Sequence, residues 1–217
     1  MNNAMIETYT GQLVNLIEPN PATLNFKDIA WSLSRTSRFN GHTAGEQPLS
    51  VAQHSSWVAR QIQLETGSLD PALILHALLH DAHEAYTGYI LSPLKLLAEL
   101  KPIKAIEMGL QAAIDIALDL PLLTVEYTQL IKHFDIIALA FEAKNLINSK
   151  GDDGAWNLPE LPSHLREVHL NVLTPQEAFQ EFWMSYELAK RGVSLDVLYP
   201  FKQTEKKALK GIATGAT

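Results

Sequence analysis

The stretch ALLHDAHEAYTG, residues 77–88, places a histidine beside an aspartate inside an apolar run with helical spacing. Ionisable side chains are costly to bury unless a partner or a metal ion holds them. His80 and Asp81 therefore need partners from other parts of the chain. Adjacent residues on a regular helix point about 100° apart, so both can meet one ion only if it lies between their directions.

Two residues on other predicted helices are candidate partners. His54 lies among apolar neighbours in SVAQHSSWVA, and Asp135 interrupts the apolar run LIKHFDIIALAFEAKNL. Taken singly, such a histidine is more often a core residue and such an aspartate a hydrogen-bonding group. Taken together, two imidazoles and two carboxylates on three helices favour a divalent metal site. This donor set suits Mn, Co, Zn, Fe or Ni without choosing among them.

Hydrophobic periodicity around these residues predicts an all-α bundle. The predicted helices span residues 26–35, 50–65, 71–86, 92–100, 103–120, 124–148 and 175–192, several of them behind capping residues. The β-branched and aromatic residues of 5–17, around Thr10 and Gly11, allow a short N-terminal β-hairpin.

Length and composition predict one folded domain. The chain has 217 residues, of which 47% are hydrophobic, enough for one sizeable core. We expect this domain to span 1–201, with the motif core at about 26–149, and the polar 202–217 to form a flexible tail.

Charge and cysteine content exclude several classes of function. The net charge of −7 makes duplex nucleic acid an improbable main partner, because binding it needs a basic surface. The absence of cysteine excludes disulfides, thiolate zinc sites and cysteine nucleophiles. The N-terminal MNNAMIETYT lacks the pattern of a signal peptide, and no run of about 18 apolar residues occurs. We expect a soluble, cytoplasmic protein that does not bind membranes.

The motifs AQHS, ALLHDAHEAYTG and DIIALAFEAKNL resemble those of the HD-domain phosphohydrolases. The similarity is greatest to small bacterial 5'-deoxynucleotidases and short phage dATP triphosphohydrolases. The resemblance implies one divalent metal ion held by four residues, His54, His80, Asp81 and Asp135. Some relatives hold two ions through further histidines, but here only His83 and His133 lie in that interval. Helical geometry points His83 away from His80, towards the surface, so a single ion is expected.

The resemblance also implies catalytic roles beside the metal for Glu84 and Asp81. Glu84 lies four residues after His80 and therefore on the same helical face. A divalent ion lowers the pKa of bound water and polarises a phosphoryl oxygen, and Glu84 can orient that water or move its proton. The alternative is a surface glutamate at a helix end.

Phosphate groups need cations, and the chain offers several. Arg35 and Arg38 lie in the loop before the second predicted helix, and a planar guanidinium suits bidentate phosphate binding. By resemblance, Arg38 and Phe39 match an arginine–aromatic pair that holds the phosphate and packs on the nucleoside, and Lys95 matches a lysine near the phosphates. His42 is a further candidate for phosphate contact. Solvated surface cations are the alternative reading.

One position departs from the family pattern. The family commonly has an aspartate after the glycine of TGD, near the sugar, but this chain reads TGYILSPLK with Tyr89 there. A tyrosine can stack on a base or close over a deoxyribose, so sugar discrimination stays open.

The resemblance implies hydrolysis between the 5' oxygen and the α-phosphorus of a deoxynucleotide. The stretch SRTSRFNGHT is more similar to the phage-type proteins, which favours a dNTP such as dATP, with triphosphate as product. A 5'-deoxynucleotidase acting on dNMPs is a close alternative. A non-catalytic nucleotide sensor, a helical interaction protein and a dinucleotide or cyclic-nucleotide phosphodiesterase are alternatives from other classes. A homo-oligomer is implied by the resemblance alone.

Overall fold

A short β-hairpin opens the computed structural model, which describes residues 4–149 and 156–199. Strand β1 (Met5–Glu7) pairs antiparallel with β2 (Leu13–Asn15), and Ile6 faces Val14 across the pair. The predicted N-terminal hairpin is confirmed. Residues 202–217, predicted to form a flexible tail, lie outside the described residues.

The rest of the described chain is mainly helical, which confirms the all-α fold class. The helices are α1 (Phe26–Leu33), α2 (Val51–Thr66), α3 (Pro71–Leu79), α4 (Glu84–Thr87), α5 (Ser92–Lys95), α6 (Lys101–Ala117), α7 (Val125–Leu146) and α8 (Pro175–Lys190). Short 3₁₀ turns lie at Pro21–Thr23, Arg38–Gly41, Ala98–Leu100, Ser163–Leu165 and Leu195–Leu198. No helix among the described residues combines the length and apolar character needed to cross a bilayer.

Side-chain caps fix where the main helices begin. Ser50 accepts a hydrogen bond from the Gln53 amide at the start of α2, and Asp70 caps α3 in front of a proline at its first position. Thr174 and Glu177 form the reciprocal capping box predicted for α8. These caps satisfy amides that the first helical turn leaves unpaired.

Helix α2 lies at the centre of the bundle and packs against α3, α7 and α8. The interface is made of fully buried apolar side chains, among them Val58, Ile62, Ile74, Leu78 and Phe182. Close packing of this kind resists displacement, so side chains carried by α2, α3 and α7 keep fixed relative positions.

The prediction of one continuous helix over 71–86 is wrong. Helix α3 ends at Leu79 and α4 begins at Glu84. Between them the amides of Ala82, Glu84, Ala85 and Tyr86 each donate to the carbonyl three residues earlier, at 3.0–3.1 Å. The chain therefore tightens into consecutive 3₁₀ turns. The helix predicted over 92–100 is also interrupted, as α5 followed by the turn at Ala98–Leu100.

Candidate metal centre

Four predicted ligands converge at the junction of α2, α3 and α7. The Nε2 atom of His54 lies 3.3 Å from Nε2 of His80 and 3.3 Å from Oδ1 of Asp135. The Nε2 atom of His80 lies 3.4 Å from Oδ2 of Asp81 and 3.8 Å from Oδ1 of Asp135. Two imidazoles and two carboxylates thus surround one point, as the sequence predicts.

His80 and Asp81 lie where α3 ends and a tighter turn begins. His80 is the last residue attached to α3, and its Nδ1 donates to the Ala77 carbonyl at 2.8 Å. Asp81 already belongs to the tighter turn. Although adjacent, the two side chains both reach the centre, with Nε2 of His80 3.4 Å from Oδ2 of Asp81.

The electrostatics of the cluster favour a cation. Burial opposes protonation of His80, yet the Asp81 and Asp135 carboxylates outweigh it and raise the His80 pKa to about 9. Burial also disfavours the Asp135 anion, but His54 and His80 lower its pKa nevertheless. Nitrogen and carboxylate donors in this number fit a divalent transition metal ion, so the residues present suit the predicted cofactor.

Glu142, which the sequence reading missed, holds the far side of the centre. It is 3% exposed. Its Oε1 lies 2.6 Å from Nδ1 of His54, and its Oε2 accepts from Nε of Arg38 at 2.8 Å. It stands seven residues after Asp135, two helical turns along the same face, and that spacing is the signal that could have found it.

The hydrogen bond to Glu142 fixes how His54 presents its ring. A carboxylate only accepts, so His54 donates from Nδ1 and keeps the Nε2 lone pair for the centre. Imidazole ligands of metal ions commonly donate their other nitrogen to a carboxylate or a carbonyl. Both histidines here follow that arrangement, His54 with a carboxylate and His80 with a backbone carbonyl.

Arg38 reaches the centre from a loop tied to the start of α2. Its amide donates to the Leu49 carbonyl at 2.8 Å, and its guanidinium Nη1 lies 3.9 Å from Oδ2 of Asp81. The two following residues, Phe39 and Asn40, have left-handed φ angles of 54° and 50°. Such backbone costs about 1–2 kcal/mol per residue, so the surrounding contacts must stabilise this turn.

Glu84 is buried beside Asp81. It is 3% exposed, and its Oε2 has no hydrogen-bond partner among the described residues. Burial, together with the nearby Asp81 charge, raises the Glu84 pKa to about 8. Residues three apart align in a 3₁₀ turn, so Glu84 lies over Asp81 rather than over His80, a correction to the predicted helical face.

His83 is also placed differently from the expectation. Its side chain is only 12% exposed, and its Nε2 lies 3.8 Å from Oε1 of the buried Glu107 on α6. Lys95 lies 2.9 Å from the same Glu107 oxygen and 3.8 Å from Oε1 of Glu84. Lys95 is therefore at the edge of the centre, and its role as a phosphate-binding cation stays a prediction.

The two predicted base or sugar contacts fall in different environments. Tyr89 is half-buried, and its ring lies 5.7 Å from the Arg38 guanidinium carbon, at the edge of the centre. Phe39 is 5% exposed and packs with Leu49, Leu146 and Trp156. Phe39 is thus buried among apolar side chains, and the nucleoside contact predicted for it stays a prediction.

Two predicted phosphate ligands lie apart from the centre in the described contacts. The Arg35 guanidinium stacks on Trp31, with 3.4 Å between its central carbon and the ring centroid, and lines a separate cavity beside the hairpin. The phosphate-binding role predicted for Arg35 stays a prediction. His42 is exposed and ends the turn that carries Arg38.

The centre opens onto a cavity of about 320 Å³, within the size range of small-molecule sites. Its lining includes His80, Asp81 and Asp135. Lys132 also lines it and pairs with Oδ2 of Asp135 at 2.7 Å. The sequence reading did not single out this lysine, because one exposed cation on a helix looks like an ordinary surface residue.

Comparison with known proteins finds relatives but no functional description. No protein-family model matches the chain. An uncharacterized protein of Rhodobacter capsulatus is 27% identical over 197 residues, covering 89% of this chain and 100% of the relative. The uncharacterized protein YfdR of Escherichia coli K12 is 33% identical over 180 residues, covering 82% of this chain and 92% of the relative. At this identity and coverage, the chain belongs to the same family as YfdR.

Proposed function

We propose that this protein is an HD-domain type, metal-dependent phosphohydrolase that cleaves the 5' ester of deoxynucleotides. One observation carries the proposal. Two imidazoles and two carboxylates lie together, with five of their pairwise distances under 4 Å, and beside them the buried Glu84 has an oxygen without a partner among the described residues. Purely structural buried carboxylates are normally paired, so an unpaired one beside a metal-binding cluster favours a catalytic role.

A divalent ion held by His54, His80, Asp81 and Asp135 would supply Lewis-acid polarisation of a phosphoryl oxygen and acidify a nearby water. Glu84 then acts as the proton acceptor for the attacking water. Lys95, 3.8 Å away, favours the carboxylate form of Glu84 that this role requires. The burial of Glu84 keeps its basicity above that of an exposed glutamate.

The cations around the centre support a phosphorylated substrate. Arg38 lies 3.9 Å from Asp81, Lys95 lies 3.8 Å from Glu84, and Lys132 lies 2.7 Å from Asp135. Each can neutralise phosphate oxygens that approach the ligand cluster. With several such cations, we favour a dNTP of the dATP type over a dNMP, and triphosphate as the product.

Product analysis tests the proposal. The purified protein is incubated with Mn²⁺, Co²⁺, Zn²⁺ or Mg²⁺ and with each dNTP, dNMP and NTP, and the products are separated by ion-exchange chromatography. We expect deoxynucleoside and triphosphate from at least one dNTP, and no product from the Glu84→Gln variant. Phosphate release from dNMPs alone would make the protein a 5'-deoxynucleotidase. Stoichiometric metal without any product would overturn hydrolysis in favour of a nucleotide sensor.

A further inference from the structure

The outer face of α6 carries an apolar stripe with no cover among the described residues. Ala105, Met108, Ala112 and Ile116 are all exposed and follow one another at spacings of three and four. Met108 is 64% exposed and Ile116 69%. A stripe with this period is one face of the helix, and apolar faces of this kind normally pack against another surface.

Exposed apolar side chains are concentrated around the same helix. Of the 17 exposed large hydrophobic residues in the described chain, eight lie between Leu94 and Val125. Leu96, before α6, is 85% exposed, and Leu122, after it, is 95% exposed. The apolar surface therefore extends past both ends of the helix.

The charges on α6 are placed against its own dipole. Exposed Lys101 and Lys104 lie at the N-terminal end, and exposed Asp119 follows the C-terminal end. The first turn contains no acidic residue and the last turn no basic one. An isolated helix is stabilised by the opposite arrangement. A partner helix running the other way would supply the missing complementary charge at each end.

From this pattern we infer that the exposed face of α6 pairs, antiparallel, with α6 of a second copy of the chain. The face is nearly self-complementary about residue 110. Antiparallel alignment brings Lys101 to the partner subunit's Asp119, and Met108 to the partner subunit's Ala112. Small side chains at Ala105 and Ala112 give the larger ones room, and a two-fold axis generates every contact twice.

The area that a stable interface needs requires the leucines flanking α6 to take part in it. A helix of 17 residues is about 25 Å long, so a stripe about 10 Å wide covers roughly 250 Å². A stable interface needs about 800 Å² per partner. The exposed apolar residues beyond both ends of α6, Leu96 and Leu122 above all, must supply much of the remainder. The antiparallel pairing places the Leu96 end of one copy next to the Leu122 end of the other.

Sedimentation equilibrium of the full chain tests this interface. We expect the wild type to sediment at twice its chain mass of 24.1 kDa. We expect the Met108→Glu variant to have a dimer dissociation constant about 100-fold higher. Met184→Glu is the matched control, because Met184 is an exposed methionine on α8. Circular dichroism confirms that each variant folds. A monomeric wild type, or a dimer that Met108→Glu leaves intact, would overturn the inference.

A charge exchange tests the antiparallel register separately. Lys101→Glu and Asp119→Lys each place like charges together and should each weaken the homodimer. Mixing the two variants restores both attractive pairs, so we expect a heterodimer of one Lys101→Glu chain and one Asp119→Lys chain. If the wild type is a dimer but the mixture gains no dimer over either variant alone, the proposed register is wrong.

Discussion

Glu142 and Glu84 are both 3% exposed and both border the same four ligands, yet their surroundings differ. Both oxygens of Glu142 are paired, one with His54 and the other with Arg38. Within the described part of the chain, Oε2 of Glu84 has no hydrogen-bond partner, and its other oxygen lies 3.8 Å from Lys95. On the Glu142 side of the centre both carboxylate oxygens thus have partners, whereas on the Glu84 side one oxygen has none among the described residues.

This difference distinguishes a positioning role from a role in proton transfer. A buried group with all its partners in place resists movement and fixes its neighbours. A buried group that lacks a partner destabilises the fold, and such groups are retained where they act on a substrate. The comparison therefore assigns positioning to Glu142 and proton transfer to Glu84.

The largest expected effect comes from removing a ligand that both sides share. Asp135→Ala leaves His54 and His80 without their common carboxylate. We expect loss of bound metal and a fall in activity of about 10⁶-fold, the lower range of enzymatic accelerations. Metal content by atomic absorption and turnover check this. A variant that keeps stoichiometric metal would remove Asp135 from the ligand set.

The unsatisfied side is tested by Glu84→Gln. The amide keeps the size of the side chain but cannot accept the proton, so we expect turnover to fall by about 10²–10⁴-fold. Bound metal should be unchanged. The melting temperature should stay the same or rise, because a neutral amide then replaces the buried Glu84 carboxylate. Normal turnover would show that Glu84 is not the proton acceptor.

The satisfied side is tested by the same exchange at Glu142. Glu142→Gln must turn an amide donor towards either His54 or Arg38, which are donors themselves. We expect about 10–100-fold weaker metal binding and unfolding free energy lower by about 3–5 kcal/mol. Isothermal titration with Mn²⁺ and chemical denaturation measure the two effects. Equal unfolding free energies of Glu84→Gln and Glu142→Gln would contradict the difference between the two glutamates.

Lys95→Met should give the smallest effect. Lys95 is 30% exposed, so solvent screens its charge and the side chain can be replaced without leaving a cavity. We expect KM for a deoxynucleotide to rise about tenfold, with kcat falling less, as for a lost ground-state contact. Lys27→Met, at an exposed position on α1, is the control. An unchanged KM would limit Lys95 to an ion-pair role with Glu107.

Sequence reasoning succeeded where local chemistry decides the structure. Capping residues fixed the starts of α2, α3 and α8, and the apolar period placed His54 and Asp135 on helices and His80 at the end of one. The break at residues 80–83 escaped it, because four residues are too few to separate a period of 3.6 from one of 3.0.

Contacts between distant segments were beyond the same reasoning. The burial of Phe39 depends on Leu146 and Trp156, more than 100 positions away. Arg35 stacks on Trp31 instead of facing the His–Asp cluster, and nothing in its immediate sequence distinguishes it from Arg38. Glu142 looks like a surface residue until its two partners are brought next to it.

The run of 3₁₀ turns after α3 has a consequence for how this family can change length. Each residue in such a turn rotates the chain by about 120°, so one residue gained or lost between Asp81 and Glu84 would swing the glutamate about a third of a turn. The loop at 42–48 has no such constraint, since its side chains other than that of Thr43 are exposed. We therefore expect insertions and deletions to accumulate in that loop and to be absent from 80–84, whatever substitutions occur around them.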